Sequence, residues 1–141
     1  MQHMEQLYDD TKAELRKHID LIDEQNSKII IVLDDDPEWL QTIKEKTKGD
    51  QNIITISDIK EFRSFIHENG CSKMYININM EPINGIDLAE NLNLDQCFGE
   101  LVFVSGHEPT ENDLKRIDQL GSKFMSKGVL LDKIIYPKEE T

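Results

Sequence analysis

Short apolar runs recur along the chain from residue 28 onward, at Ile29–Leu33, Ile53–Ile56, Met74–Ile78, Leu101–Val104 and Lys123–Met125. Continuous apolar runs of this length fit strands buried on both faces better than strands with one wet face. Each run is followed by a stretch with helical spacing. Pro37 opens the first helix, which carries Trp39, Leu40 and Ile43, at a position where a missing N–H costs nothing. Ser57 is placed to cap the second, with Ile59, Phe62, Phe65 and Ile66 on one face and Gly70 as its stop. A third runs from about Asn84 through Ile86, Leu88, Ala89 and Leu92. Thr110, with Asp113 three residues on, makes a capping-box start for the fourth, which ends at Gly121 after Leu114, Ile117 and Leu120. The fifth spans Val129–Ile135 before Pro137. Five strands alternating with five helices predict an α/β fold, a doubly wound five-stranded parallel sheet. In such sheets ligands bind at the carboxyl ends of the strands.

Residues 1–27 have a different texture, with dense charge and no Gly or Pro. Leu15, Ile19 and Ile22 fall at i, i+4 and i+7, which predicts an N-terminal helix too short for a coiled coil. It packs on the domain, pairs with another copy or serves as a linker. The expected organisation is 1–27 as helix or linker, 28–136 as the domain, and 137–141 as an acidic tail.

A length of 141 residues fits one domain with an appendage and excludes a two-lobed enzyme. Acidic residues outnumber basic ones 28 to 16, for a net charge of -12, the wrong sign for gripping nucleic-acid backbones. No apolar stretch is long enough to span a bilayer or to read as a leader. Cys71 and Cys97 lie far apart in sequence, so no disulfide framework is expected and a reducing cytoplasm is the expected location. His3, His18, His67 and His107 are scattered without metal-ligand spacing, and Trp39 is expected to pack on the core.

The strand ends carry the chemistry. The first ends in Asp34-Asp35-Asp36, the third in Asn77, the fourth in Ser105-Gly106 and the fifth in Lys127. Clustered carboxylates after a buried strand need a compensating cation, and Mg²⁺ takes oxygen ligands of this kind. Asp36 also suits a helix cap. An acid pair, a hydroxyl and an ammonium around one pocket are the groups needed to hold Mg²⁺ and a phosphoryl group.

Those residues carry a family resemblance. Ile29–Pro37 (IIIVLDDDP), Asn77–Gly85 (NINMEPING), Val104-Ser105-Gly106 and Gly121–Lys127 (GSKFMSK) resemble the receiver domain of bacterial two-component response regulators. The resemblance covers Lys28 to Ile135. It implies a flavodoxin-like fold with strand order 2-1-3-4-5. It further implies Asp34 and Asp35 as metal-binding acids, Ser105 as the hydroxyl switch, Phe124 as the switching aromatic and Lys127 as the phosphate partner. Two departures stand out. Counting back eight from Gly85 places Asn77 where the family has its phosphoacceptor Asp, and Gly128 replaces the proline usual after the lysine. A neutral carboxamide is a poor nucleophile. As a ligand set, Asp34, Asp35 and Asn77 carry one charge fewer, so Mg²⁺ binding is expected to be weak if it occurs.

The expectation is therefore a non-enzymatic receiver-type module of a two-component or phosphorelay system, a pseudo-receiver acting by protein contact. Its partner surface is expected on the face of the fourth helix, fifth strand and fifth helix, with a second copy as another partner. Nucleic acid and membrane are not expected partners. The alternatives are a phosphorylatable receiver carrying an engineered Asp-to-Asn change and a small flavodoxin-like enzyme or cofactor binder. The latter is opposed by the lack of a Gly-rich loop after the first strand.

Overall fold

The computed structural model describes residues 29–48, 50, 52–92 and 97–135. The helix expected over 1–27 and the tail 137–141 lie outside the described residues. Five parallel strands, β1 (Ile30–Leu33), β2 (Ile53–Ile56), β3 (Cys71–Asn77), β4 (Cys97–Ser105) and β5 (Lys123–Ser126), form one sheet in the order β2-β1-β3-β4-β5. They alternate with α1 (Pro37–Lys46), α2 (Ile59–Asn69), α3 (Gly85–Asn91), α4 (Glu111–Gln119) and α5 (Lys127–Ile135). The expected fold class and strand order are both present.

Alternate strand residues face opposite sides of the sheet, and helices cover both sides. Ile31, Leu33, Met74, Ile76 and Phe103 pack with Phe62 and Ile66 of α2, Ile86, Leu88 and Ala89 of α3, and Ile117 of α4. Val32, Tyr75, Val102 and Val104 pack on the other side with Leu40 and Ile43 of α1 and Leu130 of α5. This double burial is why the strands read as unbroken apolar runs.

Several boundaries differ from the sequence expectation. Asp58, not Ser57, caps α2, and its carboxylate accepts the Lys60 N–H at 3.3 Å. The last helix starts at Lys127 rather than Val129, with Ser126 Oγ accepting the Val129 N–H at 3.3 Å. Strands β3 and β4 begin earlier, at Cys71 and Cys97, through polar residues that the apolar runs left out. Lateral pairing of charge holds those residues in the sheet. Glu100 of β4 lies 3.4 Å from Lys73 Nζ of β3 and 2.9 Å from Lys123 Nζ of β5. The two cysteines, distant in sequence, are register partners at the start of β3 and β4.

The capping box of α4 forms as expected, with Thr110 Oγ1 accepting the Asp113 N–H at 3.1 Å and Asp113 accepting the Thr110 N–H at 3.4 Å. Gly70 and Gly121 close their helices with φ of 69° and 66°, a conformation that glycine adopts without steric cost.

Candidate functional site

The order of strands reverses between β1 and β3, and the carboxyl ends of these strands bring the expected residues together. Asp34 follows β1 directly, and its N–H donates to Ile56 O at 3.1 Å, extending the pairing with β2 by one residue. That pairing draws its side chain inside, where it is 1% exposed. Asn77 ends β3 and Ser105 ends β4, and both are also buried. Lys127 opens α5 immediately after β5, so a short strand-to-helix turn delivers its ammonium to the site.

Both oxygens of Asp34 are engaged. Oδ1 accepts the Asp36 N–H at 3.0 Å and the Asn77 Nδ2 amide at 3.1 Å, while Oδ2 pairs with Lys127 Nζ at 2.9 Å. Asn77 Nδ2 also donates to Asn79 O at 2.9 Å. Because Asp34 Oδ1 and Asn79 O are both acceptors, the amide must present its NH₂ to them. Burial pushes the Asp34 carboxyl above the usual range. The Asp36 N–H and Lys127 oppose that rise, and Asp35 adds to it.

Asp35 points elsewhere. It is exposed, and Oδ2 accepts the Glu81 N–H at 3.1 Å, tying the β1–α1 loop to the β3–α3 loop. Asp36 caps α1, accepting from Glu38 N at 3.0 Å and Trp39 N at 3.4 Å. Ser105 Oγ accepts from Asn79 Nδ2 at 3.2 Å and from His107 N at 3.0 Å. Phe124 is half-buried against the α2–α4 side of the core. Gly128 lies inside α5, and the cis X-Pro bond among the described residues is Glu81–Pro82.

Two residues of this site were not legible as such in the sequence. The ring of Trp39, expected only as core, takes the Lys127 ammonium over its face at 5.2 Å from the centroid, while also packing on the α1–α5 side. Asn79 links Asn77 to Ser105 through its carbonyl and its amide. Its place two residues after Asn77, in the loop that leaves β3, was the available signal. Gly85, by contrast, has a clear steric role: a Cβ there would stand 2.0 Å from Asn77 O.

The donor set fits a tightly held divalent cation poorly. Such a cation needs oxygen ligands, yet an amide nitrogen occupies the space between Asp34 Oδ1 and Asn79 O, and an ammonium covers Oδ2. Among the described residues no group of three or more His, Cys, Asp and Glu side chains converges.

No family model matches the chain, and no curated protein matches it in sequence. Solved structures do. The chemotaxis protein CheY4 of Vibrio cholerae aligns with a TM-score of 0.63 at 13% identity, over 74% of this chain and 93% of its own. The receiver domain of the Francisella response regulator 1452 aligns with a TM-score of 0.60 at 26% identity, over 75% and 88%. The receiver domain of the histidine kinase CKI1 from Arabidopsis thaliana, complexed with Mg²⁺ and BeF₃⁻, aligns with a TM-score of 0.59 at 16% identity, over 81% and 89%. This chain has the CheY-like receiver fold. No helix among the described residues is long and apolar enough to cross a membrane.

Proposed function

We propose that the chain is a receiver-type signalling module that acts through protein contact and does not accept a phosphoryl group. The observation that carries this reading is the Asn77 amide donating to Asp34 Oδ1 and Asn79 O, with Lys127 on the opposite oxygen of Asp34. Two internal donors thereby satisfy the acid that would otherwise need a cation. The side chain at the acceptor position has no charged oxygen with which to attack phosphorus. Any Mg²⁺ held by Asp34, Asp35 and Asn77 is weakly bound, since it would have to displace Lys127 and turn the amide.

Output runs through the face of α4, β5 and α5. The exposed large apolar side chains among the described residues, Leu114 and Val129, lie on α4 and α5. The test is incubation with Mg²⁺ and acetyl phosphate or beryllofluoride, followed by intact mass and Trp39 fluorescence. Neither readout should change. Asn77→Asp should gain Mg²⁺-dependent labelling, because it restores a nucleophile among Asp34, Asp35, Ser105 and Lys127. An acid-labile adduct on the unaltered chain would overturn the reading.

A further inference from the structure

We propose that the outer edge of β2 pairs with the same edge of a second copy of this chain, joining the two sheets across a two-fold axis. β2 ends the sheet, and among the described residues no strand lies beyond it. Ile53, Ile54 and Thr55 are half-buried, so α1 and α2 leave part of this edge open.

The pairing with β1 decides which backbone groups face outward. Asn52 O accepts the Ile30 N–H at 2.8 Å and Ile56 O accepts the Asp34 N–H at 3.1 Å, so residues 52 and 56 turn their polar groups toward β1. Alternate residues of a strand turn theirs to opposite sides. The N–H and C=O groups of Ile53 and Thr55 therefore face the free edge. A two-fold axis through Ile54 sets Ile53 of each copy opposite Thr55 of the other, as antiparallel hydrogen-bonded pairs. The hydrogen bonds so formed use every one of those outward groups on both copies. Opposed residues also share a face, as pairing requires, because Ile53 packs on the α1 side and Thr55 lies two residues on. Ile54 meets Ile54 of the second copy in the closer, non-hydrogen-bonded pair, on the side covered by α2.

The residues of this edge select a second copy as its occupant. Residues 51–57 (QNIITIS) carry neither the charge nor the proline that blunts many edge strands. The opposite edge is protected, since the side chain of Lys123 on β5 is 75% exposed. An uncharged Ile-Ile-Thr-Ile edge matches itself through β-branched cross-strand pairs, whereas a charged strand would find no counter-charge on it. β2 is only four residues long, and a net charge of -12 opposes the approach of two copies. The dimer is therefore weak, and salt strengthens it by screening that repulsion. The face of α4, β5 and α5 lies at the other edge of the sheet and stays open in the dimer.

The full chain should be examined by sedimentation equilibrium over a concentration series at low and high salt. The expected result is a monomer–dimer equilibrium that tightens as salt rises. Thr55→Pro removes an outward N–H from each copy and leaves the pairing with β1 alone, a change that edge strands tolerate. It should weaken dimerisation about tenfold or more with little change in melting temperature. Thr55→Lys keeps the N–H and adds the missing charge, and it decides the matter if the proline variant melts early. Ile54→Cys should form a disulfide between position 54 of each copy, because the closer pair holds its Cα atoms about 4.5 Å apart, within disulfide reach. Thr55→Cys should not link. A chain that stays monomeric at high salt, dimerisation unchanged by the Thr55 variants, or a link at position 55 in place of position 54 would each overturn the proposal.

Discussion

Lys127 Nζ stands 2.9 Å from Asp34 Oδ2 and 5.2 Å from the centre of the Trp39 ring, so one ammonium bridges β1 and α1 to the start of α5. The carboxylate side of the pair is almost fully buried and the lysine side chain is 23% exposed. Removing the charge with Lys127→Met leaves a buried carboxylate without its cation. The expected loss is about 2–4 kcal/mol, at the lower end of the range for breaking a buried pair because the lysine is partly wet. Urea unfolding measures it, and Trp39 emission should shift as the cation leaves the ring face. A loss of the size seen for exposed pairs, with unaltered emission, would show the contact to be incidental.

Asp34 gives a pH signature whose sign is unusual for a carboxylate. Burial raises its folded-state pKa above the ordinary value despite the Asp36 N–H and Lys127. The folded chain therefore holds this proton more tightly than the unfolded chain. The stability it contributes is complete below the ordinary carboxylate pKa and is lost as pH rises through the raised folded value. Asp34→Asn does not titrate at this position. The stability of the unaltered chain relative to that variant should fall as pH rises across this window and then level off. Urea midpoints over a pH series test this, and a difference that grows with pH would show that Lys127 outweighs burial.

The fold was legible because both faces of the sheet are covered, which turns each strand into an apolar run and each helix into a capped amphipathic segment. What the runs missed has a physical cause. Lys73 and Glu100 belong to strands because Glu100 pairs laterally with Lys73 and Lys123, contacts made between strands that no local pattern encodes. The same holds for the site. Asp34, Asn77, Ser105 and Lys127 could be found from their places at strand ends, and their burial and convergence follow from the register. Trp39 was read as core because its packing follows from helical spacing, whereas its cation contact comes from Lys127, remote in sequence. The direction of the Asn77 amide is set by Asp34 and by Asn79 O, partners that only the folded loop supplies.

Gly85 allows the first turn of α3 to pass directly over the backbone of Asn77. Its N–H donates to Ile78 O at 2.8 Å, and an added Cβ would meet Asn77 O at 2.0 Å and Ile76 Cγ2 at 2.8 Å. The nearest obstructing atom, Asn77 O, is backbone and cannot turn aside as a side chain could. Gly85→Ala should cost about 1–3 kcal/mol, the usual range for overpacking. It should also loosen the Asn77–Asp34 hydrogen bond, read as faster hydrogen exchange at residues 77–80 relative to the interior of β3. Unchanged stability and exchange would mean that α3 can shift freely away from the site.

The proposed interaction face can be tested at two points that leave the core alone. Leu114 on α4 and Val129 on α5 are 45% and 50% exposed, while Ile117 and Leu130 on the same helices are buried. Each helix therefore has an inner apolar anchor and an outer apolar residue that folding does not use. Arg116, between Leu114 and Ile117 in sequence, pairs with Asp87 and Glu90 of α3. That contact holds α4 against α3 and presents Leu114 from a fixed support. Leu114→Glu and Val129→Glu should each change stability by less than about 0.5 kcal/mol, as surface substitutions usually do. Both should weaken self-association in sedimentation, or capture of a cellular partner by cross-linking. Arg116→Ala should leave the fold intact but speed hydrogen exchange across α4, separating loss of support from loss of contact. If both glutamate variants associate normally, and deleting residues 1–26 abolishes association, the contact belongs to the leading segment and this face is not the output surface.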